Sequence, residues 1–241
     1  MSKNELIKPE WGVPDRVKIL VTTRNFFSQD DFNISFSNNN NYKNTRDNIT
    51  NLKNNFLPNY PCFIKQVHGR KIVNLDTRKI HSYVADGIIT SQKNQVISIQ
   101  TADCMPIIIS SDCGSVICAL HVGRKGLEYN IIDNACNILR KYNYNLEAWV
   151  GPSISKKNYV VSSDIRNSFI NIDDGYKEYF LKNENNLFHM DLIGIASHQL
   201  RNNDINNISC SNICTAERND IFYSHRFSRD KERFGTFVWL D

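Results

Sequence analysis

The sequence predicts an α/β (α+β) fold: a single-domain layered mixed β-sandwich flanked by helices, spanning residues 1–241. Short apolar runs rich in β-branched residues, such as Pro106 to Ser110 and Val116 to Val122, are too short for core helices and read as buried strands. Amphipathic helices stand among them without the strict alternation of a doubly wound sheet, and the chain carries no G-x-G-x-x-G or Walker-type glycine loop. A chain of 241 residues, 41% of them hydrophobic, can bury a substantial core, and no Pro/Ser-rich linker or internal repeat divides it.

Val17 to Thr23 reads as the first strand, followed by a polar loop to about Asn44 in which Ser37 to Asn41 is a solvated low-complexity run. Thr45 is expected to cap a helix whose apolar face is Ile49, Leu52 and Phe56. Cys62 to His68 reads as a strand, and its alternation puts Gln66 and His68 on one face, which makes Gln66 a candidate to orient that imidazole. Val96 to Thr101 and Pro106 to Ser110 bracket Ala102-Asp103-Cys104-Met105, a break from which Cys104 can reach a cleft.

Asp112-Cys113-Gly114 turns the chain into the strand Val116 to Val122, where His121 shares a face with Ile117 and Ala119 and needs a polar or metal partner. Gly126 to Tyr142 is the clearest helix, with Leu127, Ile131, Ala135, Ile138 and Leu139 on one stripe. Glu147 to Val150 is a strand ended by Gly151-Pro152. Asp191 caps a helix carrying Leu192, Ile195, Ala196 and Leu200, and Thr236 to Leu240 is a closing strand.

A net charge of +4 is too mild for a nucleic-acid partner but compatible with a small anionic one. No apolar run approaches the length of a membrane span, and Met1 to Glu5 carries no signal-type apolar segment, so a soluble, cytoplasmic protein is expected. Seven cysteines, an odd number set largely in apolar strands and helices, suggest reduced thiols. Asparagine is abundant, so sequons such as Asn48-Ile49-Thr50 arise by chance.

The chemistry concentrates in Lys65-Gln66-Val67-His68-Gly69, Ala102-Asp103-Cys104 and His121-Val122-Gly123, which offer one thiolate and two imidazoles. Three protein ligands with one position left for water or substrate is the pattern of a catalytic zinc site. The intervals from 68 to 104 and from 104 to 121 match no finger or ribbon, so tertiary folding must assemble the site. On residue chemistry alone, a buried cysteine and a core histidine satisfied by a carbonyl fit the same positions. Blue copper also uses two His and one Cys, yet the six histidines show no His-x-His pairing for a further copper cluster, so zinc, one per chain, is preferred over copper. The H-x-E and P-C-x-x-C signature of zinc deaminases is absent.

The runs KQVHG, ADGIIT, QTADCMP, HVGRKGL, VGPSI, MDL, CT and FYSHR, in this order, resemble the YfiH-type family, labelled multicopper polyphenol oxidase (laccase-domain), purine nucleoside phosphorylase or peptidoglycan editing factor. The resemblance runs from Thr22-Thr23-Arg24 to near Leu240 and implies a CNF1/YfiH-like fold. It implies a zinc enzyme that phosphorolyses adenosine, inosine or methylthioadenosine, with adenosine deamination as a companion activity. His68, Cys104 and His121 are then the metal ligands and catalytic residues. Arg24, Asn33, Lys125 and Arg226 are substrate-side candidates for nucleoside and phosphate, and Gln66 and Asp103 support the ligands. The alternatives are a cysteine hydrolase with Cys104 as nucleophile and His121 as base, editing an amide in a peptidoglycan precursor, and an impaired enzyme kept as a binding protein. The chain departs from the family's H-A-G-W-R-G at Arg124-Lys125, from S-Y-R-R at Phe227, and from G-R at Glu232-Arg233; Lys125 cannot reproduce a bidentate arginine contact, whereas Arg124 is expected to be solvated surface.

Overall fold

The computed structural model describes residues 14–28, 31–36, 42–77 and 83–241. The run Ser37 to Asn41 and His81 lie outside them. In chain order the elements are β1 (Val17–Val21), α1 (Tyr42–Asn55), β2 (Ile72–Asn74), β3 (Gly87–Thr90), β4 (Ile97–Thr101), β5 (Met105–Ser111) and β6 (Ile117–Val122). There follow α2 (Arg124–Glu128), α3 (Ile131–Leu139), β7 (Leu146–Val150), β8 (Val160–Val161), α4 (Ser163–Ile172), β9 (Phe180–Lys182) and β10 (Phe188–Met190). Last come α5 (Leu192–Arg201), β11 (Asn207–Cys210), α6 (His225–Ser228) and β12 (Phe234–Leu240).

The architecture is the predicted layered α/β sandwich. A six-stranded mixed sheet in the order β11-β7-β5-β6-β3-β2 forms its middle, a three-stranded sheet β1-β12-β4 packs beside it, and β8-β10-β9 makes a small third sheet. Strand β5 is buried at every position because both of its faces are covered. Ile107 and Ile109 point into the core shared with Leu127, Ile131, Ala135 and Leu200 of the helices, while Ile108 points into the core shared with Val21, Ile97, Ile99 and Val238 of the three-stranded sheet. Strand alternation therefore divides one apolar run between two cores. A third core, with Leu20, Ile49, Leu52 and Phe237, seats α1 on the outer face of the three-stranded sheet. The order is helices, large sheet, small sheet, helix. Among the described residues no helix is long and apolar enough to cross a membrane.

Three local expectations are corrected. Thr45 lies inside α1, which starts at Tyr42, and its buried hydroxyl donates to the Ser35 carbonyl at 3.3 Å, so a tertiary contact takes the place of a cap. Cys62 to His68 makes only isolated parallel bridges, Cys62 to Ile97 and Lys65 to Val84, because the chain leaves the extended form at His68, where φ is 59°. The helix expected over Gly126 to Tyr142 is broken at Asn130, left-handed at φ 55°, so that α2 and α3 lie on separate axes and α2 begins at Arg124. Its apolar periodicity is real, but asparagine tolerates the left-handed turn that lets both pieces pack.

Ile108 tests the two-sided burial of β5, being fully buried in its central strand pair. Ile108→Ala is expected to cost about 2–5 kcal/mol. Denaturant unfolding should show a lower midpoint with an unchanged slope.

Candidate metal centre

Two loops and one strand end converge beside the sheet β1-β12-β4. The first is the turn Gln66 to Gly69. Gln66 pairs with Gln100 as a strand residue would, Nε2 donating to its carbonyl at 2.7 Å and Oε1 accepting from its N–H at 2.9 Å. Beyond it, the backbone N–H groups of Val67, His68 and Gly69 all donate to the Asp86 carboxylate, at 3.1, 2.9 and 2.7 Å. The left-handed residue His68 is what allows successive N–H groups to converge on one anion.

The second loop is the break between β4 and β5. Asp103 is buried with φ 88°, and its carboxylate accepts from the hydroxyls of Thr215 at 2.8 Å and Ser224 at 2.7 Å and from the Arg226 N–H at 2.6 Å. Ile154 N–H donates to its carbonyl at 3.0 Å. Asp103 thus fastens the Cys104 loop to the segment that carries Arg226. The third contribution is the end of β6, where His121 N–H donates to the Asp86 carbonyl at 2.8 Å and His121 Nδ1 meets Asp86 Oδ1 at 2.8 Å. Asp86 is fully buried, and by occupying Nδ1 it leaves Nε2 as the ligand atom of His121.

The ligand atoms of His68, Cys104 and His121 all lie within 4.8 Å of one another, and the two imidazole centroids are 4.7 Å apart. Gly123 makes this approach possible, since a Cβ there would stand 2.7 Å from Cys104 Sγ and 3.4 Å from His68 Cδ2. Two imidazoles, one of them anchored by a carboxylate, and a thiolate form a donor set that could hold a metal ion, and it is the one such cluster among the described residues. Burial opposes the Cys104 thiolate, but the charge and hydrogen bond of His121, with those of His68 behind them, overcome it and pull the thiol from 9.0 to about 6. Burial likewise opposes the His121 cation, and Cys104 and Asp86 overcome it and raise the ring from 6.5 to about 9. Asp86 lies below its ordinary value: burial opposes its ionisation, and hydrogen bonds from His121 and the loop N–H groups prevail.

The cluster opens into a cavity of about 980 Å³ whose lining includes Lys65, Arg124, Lys125, Arg226 and Arg233, with Asp103 the one carboxylate among the described residues. Lys125 is exposed and Arg124 is paired with Glu128 at 2.9 Å. Arg226 lies over the Tyr159 ring at 4.6 Å and donates to the Val160 carbonyl at 3.0 Å. Lys125, Arg226, Gln66 and Asp103 are therefore at the cavity, although Gln66 and Asp103 hold backbone loops and have no hydrogen bond to the histidines. Arg24 and Asn33 are not in the cavity wall. Arg24 donates to the Asn219 carbonyl at 2.7 Å and lies over the Tyr223 ring, and Asn33 is buried between Ser35, Thr45 and Arg233. Sequence reasoning missed Asp86, Tyr159 and the place of Arg233, and took Arg124 for plain surface. For Asp86 a signal existed: an acid at the head of Gly87-Ile88-Ile89, an apolar strand, demands a buried partner.

A family model described as multi-copper polyphenol oxidoreductase laccase matches residues 18–241. A purine nucleoside phosphorylase of Haemophilus influenzae is 28% identical over 244 residues, covering 98% of this chain and 100% of that protein. One of Rickettsia prowazekii is 32% identical over 163 residues, covering 67% of this chain and 68% of that protein. Among solved structures, a Neisseria meningitidis protein superposes with a TM-score of 0.89 at 24% identity over 98% of this chain and 99% of its own. The Bacillus licheniformis protein YfiH superposes with a TM-score of 0.85 at 21% identity, over 94% of each chain. At such identity these structures speak for the fold alone.

The charge relay from Asp86 through His121 to Cys104 makes a measurable prediction for the metal-stripped protein. Because the thiol is depressed to about 6, alkylation of Cys104 by iodoacetamide should rise through that pH and not through 9.0. Asp86→Asn, which weakens the imidazolium, should move that rise upward and lower metal affinity about 10–100-fold in a competition titration.

Proposed function

The chain belongs to the multi-copper polyphenol oxidoreductase laccase family, and on that footing we propose that it is a zinc-dependent purine nucleoside phosphorylase, a cytoplasmic monomer that acts on adenosine, inosine and methylthioadenosine and also deaminates adenosine. The observation that carries this reading is the His68–Cys104–His121 cluster opening into a cavity with five cations and one carboxylate, because it combines an open metal site with a place for an anion. A bound zinc would act as a Lewis acid on a substrate oxygen or on water. Phosphorolysis joins a phosphate oxygen to the sugar C1, breaks the C1–N bond, and sends that electron pair to the purine, which leaves with a proton. The protein's share is to hold the phosphate against C1 and to keep water out of line. Lys125 and Arg226 serve the phosphate from the cavity wall, Arg226 being kept in place by the Tyr159 ring and the Val160 carbonyl.

The family description speaks of several coppers, but the donor groups support a single ion. His198 is engaged by Asp173 at 3.2 Å and Tyr179 at 3.2 Å, and among the described residues no other group of histidines, cysteines and acids is close enough to ligate a metal. One further reading is favoured by a specific observation, the file Asp86–His121–Cys104 at a cavity. There the Cys104 thiolate would attack an amide carbonyl and the His121 imidazolium would give its proton to the departing amine, water then releasing the acid.

Purified protein should contain close to one zinc per chain by metal analysis, and Ala at His68, Cys104 or His121 should remove most of it. A chelator should abolish phosphorolysis and added zinc restore it; full activity of the stripped protein with a covalent adduct on Cys104 would transfer the assignment to amide hydrolysis. Lys125→Ala should raise the KM for phosphate several-fold while sparing zinc content and the KM for nucleoside, about the 1.5–3 kcal/mol of a charged hydrogen bond at most. Lys125→Arg should keep most activity.

A further inference from the structure

We propose that Arg233 is the residue that receives the substrate oxyanion inside the cavity, a phosphate dianion, and that Asn33 is the positioning residue that holds it there. The proposal rests on the phosphorylase reading above and names a contact that reading leaves open. The cavity's cations differ in how their charge is met. Lys65 and Lys125 are exposed at the rim, Arg226 is exposed over Tyr159, and Arg124 is already paired with Glu128. Arg233 is half-buried, and its guanidinium donates only to two backbone carbonyls, of Asp230 at 3.1 Å and Glu232 at 2.7 Å, with no carboxylate accepting from it among the described residues. Carbonyl dipoles orient a cation without forming an ion pair with it, so the guanidinium fork is left with no carboxylate bonded to it and is available to an anion that enters the cavity. Burial pushes this guanidinium below its ordinary value, while the charges of Cys104, Asp103, Glu232 and Asp230 pull it back, the first of which sets it within electrostatic reach of the candidate metal cluster. An arginine stays charged throughout, and its planar fork matches phosphate oxygens in a way a lysine does not.

The backbone under Arg233 is fixed from far away in the chain. Arg233 N–H donates to Asn33 Oδ1 at 2.9 Å, and Ile34 N–H donates to the Arg233 carbonyl at 3.2 Å. The same Asn33 donates through Nδ2 to the Ser35 carbonyl at 3.0 Å and to Thr45 Oγ1 at 3.2 Å, and accepts at its own carbonyl from Asn48 at 2.9 Å. Asn33 therefore locks the arginine to the base of α1 without reaching the cavity, and this is why a residue with the look of a substrate ligand is buried behind it.

The test titrates inorganic phosphate into the zinc-loaded protein by calorimetry, with phosphate and nucleoside KM measured in parallel. Arg233→Met should weaken phosphate binding about ten- to a hundredfold, leaving zinc content and nucleoside KM unchanged. Arg233→Lys, which keeps the charge and loses the fork, should fall between, and it decides the matter if the methionine variant does not take up zinc. Asn33→Ala should raise phosphate KM more than it lowers kcat. Unaltered phosphate affinity in zinc-loaded Arg233→Met and Arg233→Lys overturns the assignment, even if nucleosides are phosphorolysed. Arg233-dependent phosphate binding without cleavage of any nucleoside would uphold the anion site and remove the phosphorylase reading instead.

Discussion

One buried carboxylate sets the geometry on which the site depends. Asp86 is inaccessible to water, and the cost of placing a charge there is met by three backbone N–H groups and the ring of His121. Those four donors belong to two different segments, so the carboxylate is also the fastener between them. The turn that presents His68 and the strand that presents His121 are held in register through the same two oxygens. A ligand pair arranged this way is preorganised: the protein has already met the ordering cost that a metal would otherwise have to supply.

Asp103 plays the corresponding part for the third ligand. Its carboxylate gathers the hydroxyls of Thr215 and Ser224 and the N–H of Arg226, all from the far part of the chain, against the loop of Cys104. The two acids divide the labour, one tying the histidines together and the other tying the cysteine to the cationic wall. Neither is itself a ligand atom donor in the cluster, and both are indispensable to its shape.

Much of the fold was legible because burial leaves a mark on composition. Strands β5 and β6 are apolar on both faces and read as buried whatever their neighbours; the apolar, β-branched runs of β1 and β12 were equally clear. The cluster His68, Cys104 and His121 could be named as candidate ligands because each stands in a short distinctive run, and their motifs resemble those of a known family. Positions governed by one left-handed residue were not legible. The turn at His68 and the break at Asn130 interrupt patterns that continue on either side, so periodicity ran through them. The bonding partners of Gln66, Asp103 and Asn33 were not legible for a related reason: a polar side chain in a motif signals a fixed hydrogen-bonding duty, but not whether the duty is owed to a ligand or to a distant peptide group. Arg124 and Arg233 were undervalued because an arginine's worth depends on what neutralises it, which only the three-dimensional contacts reveal.

Strand β12 lies between β1 and β4, and among the described residues β1 has no other strand beside it. The small sheet consequently cannot close until the last described strand has entered it, and the bond between Asn33 and Arg233 joins residues 200 positions apart. Closing so long a loop is entropically slow, and the contacts that reward it arrive late. As the chain is made, β11, which completes the large sheet, precedes β12, so the large sheet can form before the small one. Arg226 and Arg233 follow β11 as well, so that side of the cavity is laid down on a scaffold that already carries His68, Cys104 and His121.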